Sequence, residues 1–127
     1  TRSWDATRVD SSMHQKADRV LVDVPCSGLG VIRRKPEIKY KEYDADIELL
    51  PKKQLAILSA SASYVKPGGT LLYSTCTVNP RENERVVERF LDKNPSFKKI
   101  ERTLLLPNVN GTDGFFICVM KKNDSLI

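Results

Sequence analysis

A chain of 127 residues with 40% hydrophobic and 29% charged residues has room for one domain with a real core, and not for two. Its longest uninterrupted apolar run, Phe115 to Met120, falls far short of the roughly 18 residues that a membrane-spanning helix needs, which excludes that class. Lys and Arg outnumber Asp and Glu by 21 to 16, a net charge of +5 that favours phosphate partners without requiring them.

The opening stretch, TRSWDATRVD, has no apolar segment of the secretory kind and no initiating Met, so the sequence reads as a piece of a longer, cytoplasmic chain. The single histidine, His14, lies in a polar stretch and takes no role. The run RVLVDVP (19 to 25) alternates β-branched residues and is stopped by Pro, which predicts a buried strand. GVIRRKPEIKYKEYD (30 to 44) is polar and basic and reads as an exposed loop or short helical turns. From Pro51 a helix is expected. Leu55, Leu58, Ala62 and Val65 share one face, and KPGG (66 to 69) is read as its end.

TLLYSTC (70 to 76) predicts the next strand. Asn79 can then cap a helix with Pro80 first and Glu82 third, a reciprocal cap, with Val86, Val87, Phe90 and Leu91 as the apolar face. KNP (93 to 95) ends that helix, and the remainder holds two strand-like runs around a loop at 107 to 111, read as an antiparallel pair. This order argues for an α/β fold with parallel strands and a C-terminal antiparallel strand pair. In such sheets ligands lie beyond the carboxyl ends of the strands. Asp23, Cys26 and Cys76 fall there, and neighbouring strands, about 4.8 Å apart, would bring both cysteines to one crevice.

Three cysteines spaced 50 and 42 residues apart, with one histidine, form no metal-ligand pattern, and no metal is expected; the usage suits a reducing compartment. Cys118, inside FFICVM, reads as a small buried apolar residue. Pro25, Ser27 and Gly28 favour a tight turn around Cys26, and a helix start after Cys76 would lower its thiol pKa. CSGLGVIR (26 to 33) holds one residue too many for the phosphate loop of a thiol phosphatase. Paired basic residues, such as Lys52 and Lys53 or Lys121 and Lys122, suit either a solvated surface or a nucleic-acid footprint, and both readings stand.

DVPCSGLGVIRRKPEIK, then KPGGTLLYSTCTVNPRENERVVERFL, then DGFFICVMKK, together resemble the RNA 5-methylcytosine methyltransferases of the Sun type, whose bacterial members modify small-subunit ribosomal RNA. The resemblance runs from about Asp5 to Lys122. It implies a partial Rossmann-like, S-adenosylmethionine-dependent methyltransferase fold and RNA, ribosomal RNA by analogy with the bacterial members, as substrate. It implies Cys76, in Thr-Cys-Thr, as the nucleophile on carbon 6 of cytosine, and Cys26, in Pro-Cys, as the residue that assists product release. DNA cytosine methyltransferases use the Pro-Cys cysteine as nucleophile, so motif chemistry alone leaves the two thiols interchangeable; the STCT context favours Cys76. Asp23 matches a carboxylate near base and cofactor, and Asp5 one that contacts the cofactor adenine; the alternative for Asp5 is a surface residue. Arg33, Arg34, Lys35 and Lys39 are placed for RNA phosphates, with a merely solvated loop as the equal alternative.

The Gly-rich cofactor turn and the ribose-binding acid of the family have no counterpart in the sequence. The chain is therefore expected to be the C-terminal part of one catalytic domain, with about 100 residues of sheet preceding it. Alone it is expected to bind the cofactor weakly and to associate with itself through a bare sheet edge. The competing reading is a non-catalytic remnant that binds RNA or protein.

Overall fold

Strand alternation decides which side of this sheet becomes core. The computed structural model describes residues 3–27, 45–106 and 114–124. In chain order it shows β1 (Ala17–Asp23), α1 (Ala45–Ala62), β2 (Val65–Thr75), α2 (Glu84–Lys93), β3 (Phe97–Leu105) and β4 (Phe115–Lys122), with one 3-10 turn at Ser11–Met13 ahead of β1. The four strands form one sheet in the order β1-β2-β4-β3. β1 runs parallel to β2, and β4 runs antiparallel to both β2 and β3. The expected parallel pair and the expected antiparallel pair are both present, and the last strand slots between the second and third.

Leu71, Tyr73 and Thr75 on β2, and Phe116, Cys118 and Met120 on β4, are buried at every second position, as a sheet with one covered face requires. Ile57 and Leu58 from α1 and Val86, Val87 and Phe90 from α2 join them in one cluster, so both helices cover the same face. Edge-to-face aromatic contacts, Tyr73 on Phe116 at 6.3 Å and Phe90 on Phe97 at 5.2 Å, tie strand to strand and helix to strand. β1 and β3 are the edges of the described sheet, and Leu21 on the outer face of β1 is 69% exposed. Among the described residues, no helix is long and apolar enough to cross a membrane.

Readings of three stretches, Pro51, residues 65–69 and the Asn79 cap, are corrected by the structure. Pro51 lies inside α1, which already begins at Ala45, so it is not the first helical residue. Val65 is the first residue of β2 and not the last of the helix. KPGG does not end the helix either. It bulges out of the start of β2, between the pairs Ala17↔Val65 and Arg19↔Thr70. Pro67 has no N–H for the ladder, and Gly68 takes φ +79, open to glycine at little cost. At Gly69 a Cβ would lie 2.8 Å from the Asp18 carbonyl oxygen, so the bulge also needs a residue without a side chain there. The third correction concerns the reciprocal cap at Asn79. α2 begins only at Glu84, with Asn83 at its N-cap, and residues 80–83 form a separate turn in which Asn79 Oδ1 accepts from the Arg81 amide at 3.0 Å. The helix start expected beside Cys76 is therefore displaced from it.

Candidate active site

β1 and β2 reach their carboxyl ends in step, with Asp23 opposite Ser74. The Val24 amide still donates to the Ser74 carbonyl at 3.2 Å, after which the two chains diverge. Cys26 stands three residues past the end of β1 and Cys76 one residue past the end of β2, and Cys26 Sγ lies 2.9 Å from Cys76 Sγ. Both are half-buried and neither is in a disulfide. The convergence expected from the sequence is present in the structure. Mild oxidation with diamide should join Cys26 to Cys76, seen as the loss of two hydrogens by intact mass and a tryptic peptide linking them. A linkage from either residue to Cys118 instead would contradict this arrangement.

The two loops that carry the thiols are bound to each other through one side chain that sequence reasoning assigned to a helix cap. Glu82 is 1% exposed. Its Oε1 accepts from the Ser27 amide at 2.8 Å and from Gln54 Nε2 at 3.1 Å. Its Oε2 accepts from Ser27 Oγ at 2.8 Å and from Thr77 Oγ1 at 3.4 Å. Ser27 Oγ and Thr77 Oγ1 also meet at 2.9 Å. Gln54, fully buried on α1, spends its second N–H on the Pro25 carbonyl at 2.9 Å, so its amide orientation is fixed by two acceptors. Residues on both sides of each cysteine are thus held by α1 and by the turn before α2. Tyr73 Oη donates to the Glu82 carbonyl at 2.6 Å, and Asn83 binds Thr75 and Thr77, which fixes the turn itself. The available signal for Gln54 was its place four residues before Leu58, a polar residue on an apolar helix face; for Glu82 none was legible beyond the cap pattern.

Asp23 is exposed at the end of β1, three residues before Cys26, and accepts from Ser74 Oγ at 3.1 Å. Asp5 does not join this network. Its carboxyl accepts from the Thr7 hydroxyl at 2.7 Å and the Thr7 amide at 3.0 Å, and these two bonds, with help from Arg8 and Lys53, hold its pKa below the ordinary aspartate value. The basic residues Arg33, Arg34, Lys35 and Lys39 lie outside the described residues.

Cys118 is fully buried, and burial pushes its thiol up to about 11. It should resist iodoacetamide in the native protein at neutral pH and react only after denaturation. Burial, and then the neighbouring Glu82 and Cys26, push Tyr73 upward as well. For an acid with a raised folded-state pKa, the unfolded chain ionises first, so stability is intact below the unfolded value and falls above it. The urea midpoint should therefore drop as pH rises from about 9 toward 11, and drop less steeply in Cys118→Ala, which removes one of the two groups.

The family model for 16S rRNA methyltransferase RsmB/F matches residues 2–121. This chain belongs to that family. The probable ribosomal RNA small subunit methyltransferase B of Bacillus subtilis is 44% identical over 126 residues, covering 86% of this chain and 28% of the relative. The chain thus spans about a quarter of the length of the curated relatives it matches. Among solved structures, PH0851 superposes with a TM-score of 0.82 at 32% identity, over 86% of this chain and 27% of that one. NSun6 from Pyrococcus horikoshii, solved with SFG, superposes with a TM-score of 0.74 at 31% identity, over 84% of this chain and 30% of that one. The fold is the Rossmann-like fold of S-adenosylmethionine-dependent methyltransferases.

Proposed function

We propose that this chain carries the reaction centre of an S-adenosylmethionine-dependent ribosomal RNA cytosine-C5 methyltransferase. The observation that supports this best is the thiol pair, two sulfurs 2.9 Å apart beyond adjacent parallel strands. Carbon 5 of cytosine has no lone pair, so methylation there needs a covalent nucleophile. In this reading Cys76 Sγ, as thiolate, forms a bond to carbon 6, and the electron pair of the 5,6 double bond moves to carbon 5. S-adenosylmethionine, when bound, supplies an electrophilic methyl group for that carbon. Loss of the carbon 5 proton returns the pair to the ring, restores the double bond and expels the Cys76 sulfur. Cys26 assists this release, within hydrogen-bond reach of the departing sulfur. Asp23 offers its carboxyl to the ring of a cytosine drawn out of its stack. Asp5 and Asp23 are exposed carboxyl groups, acceptors suited to the amine and hydroxyl donors of the cofactor, and they are the described residues that would hold it.

The test is transfer of labelled methyl from S-adenosylmethionine to unmodified small-subunit ribosomal RNA by the intact protein, followed by digestion to nucleosides. Label in 5-methylcytidine is expected. Label in another nucleoside would remove the cytosine-C5 assignment, and RNA binding without any transfer would favour the binding role.

A further inference from the structure

The charges of α2 are sorted onto two flanks. Glu84 and Glu88 line a cleft toward β3 together with Lys99 and Arg102, and Glu84 is ion-paired with Arg102. The acidic flank is therefore compensated within the fold. The other flank is not. Arg81, in the turn before α2, and Arg85 and Arg89 on the helix recur every four residues and share one side. All three are exposed. With Lys52 and Pro51 of α1 and the edge of Val86 they enclose a cleft of about 320 Å³ between the two helices. Among the described residues, four cations line it and no carboxyl group does. None of the four has a side-chain ion-pair partner among the described residues. Like charges four residues apart disfavour a helix, and a concave wall holding four of them strengthens the field for an anion.

Its position couples it to the thiols. Lys52 is two residues before Gln54, and Arg81 and Arg85 flank Glu82 and Asn83. The side chains that fix the cysteine loops and those that line the cleft thus alternate along the same two segments, one set pointing in and the other out. We infer that this cleft binds backbone phosphates of the RNA strand beside the target cytosine, a docking site built from residues other than Arg33, Arg34, Lys35 and Lys39; this rests on the proposed RNA substrate. Guanidinium groups suit the role, since each can grip a phosphate through two parallel N–H bonds.

The measurement is binding of a fluorescein-labelled, cytosine-containing single-stranded oligoribonucleotide to the purified protein across a range of salt. Each phosphate contact contributes about 0.7 to the slope of log affinity against log salt for a single strand. R85Q/R89Q should reduce the slope by about 1 to 1.5 and weaken binding about tenfold at moderate salt. R89Q alone should produce about half the change in slope. K98Q/K121Q makes the same change of net charge at the far end of the sheet, where Lys98 pairs across from Lys121, and should leave the slope alone. An unchanged slope in R85Q/R89Q, or an equal loss in K98Q/K121Q, overturns the inference. So does binding to phosphatidylglycerol vesicles that R85Q/R89Q abolishes while RNA binding persists. If the parent methylates cytosine and binds RNA while R85Q/R89Q behaves like it, only the cleft assignment falls; if the parent neither binds nor methylates RNA, both fall.

Discussion

Cys26→Ala, given RNA and S-adenosylmethionine, should accumulate a covalent protein–RNA adduct that survives denaturing electrophoresis, whereas Cys76→Ala should form none. Both substitutions should lower turnover, Cys76→Ala by on the order of a thousandfold or more, the scale expected when a covalent nucleophile is lost. The distinction lies in where the reaction stops. Without Cys76 there is no sulfur to bond carbon 6. Without Cys26 the bond forms and the methyl group arrives, but the departing sulfur lacks its neighbour at 2.9 Å. Geometry alone would let either thiol attack, since both are half-buried and adjoin at the strand ends. The assignment rests on the STCT and DVPCSG contexts, and an adduct that persists in Cys76→Ala while vanishing in Cys26→Ala would reverse it. Because neither side chain belongs to the buried apolar cluster, both variants should fold.

That the two cysteines meet was legible in the sequence because it follows from local rules. Short apolar runs stopped by Pro25 and by the Cys76 bend declare parallel strands, and parallel neighbours deliver equivalent positions to one edge. The same rules misplaced what depends on tertiary contact. Pro51 looked like a helix start because proline favours that position, but packing of Gln54, Ile57 and Leu58 against the sheet carries the helix through it. KPGG looked like a helix stop because it holds a proline and two glycines. Its actual role, a bulge against β1, depends on the Asp18 carbonyl, far away in the chain. Glu82 fitted a capping pattern three residues after Asn79, and nothing local could reveal that Ser27, 55 residues earlier, offers its side chain two stronger partners. Long-range polar pairing has no period to read.

Glu82 is where that hidden pairing should have its largest measurable effect. Glu82→Ala would leave the Ser27 amide and one N–H of Gln54 without an acceptor in a largely buried site, along with one of the hydroxyls of Ser27 and Thr77, since these two can still bond each other. Each stranded buried donor costs roughly 1 to 3 kcal/mol, so the total loss of stability should reach about 3 to 5 kcal/mol. Glu82→Gln should behave differently. Its carbonyl oxygen can replace Oε1 and keep the Ser27 amide and Gln54. Its amide nitrogen then faces the hydroxyls of Ser27 and Thr77, which can rotate to accept. That variant should lose only about 1 kcal/mol. The same ranking should hold for chemistry under conditions where both variants are folded. Glu82→Ala frees the Cys26 loop from the Cys76 loop, so kcat should fall with little change in KM for RNA, and diamide should join the two thiols more slowly. Glu82→Gln should restore most of both. Urea titration, turnover and the rate of thiol oxidation in the two variants check this together. A Glu82→Ala protein within about 1 kcal/mol of the parent, or with parental kcat and oxidation rate, would show that the thiol pair is held in place by something other than this carboxyl group.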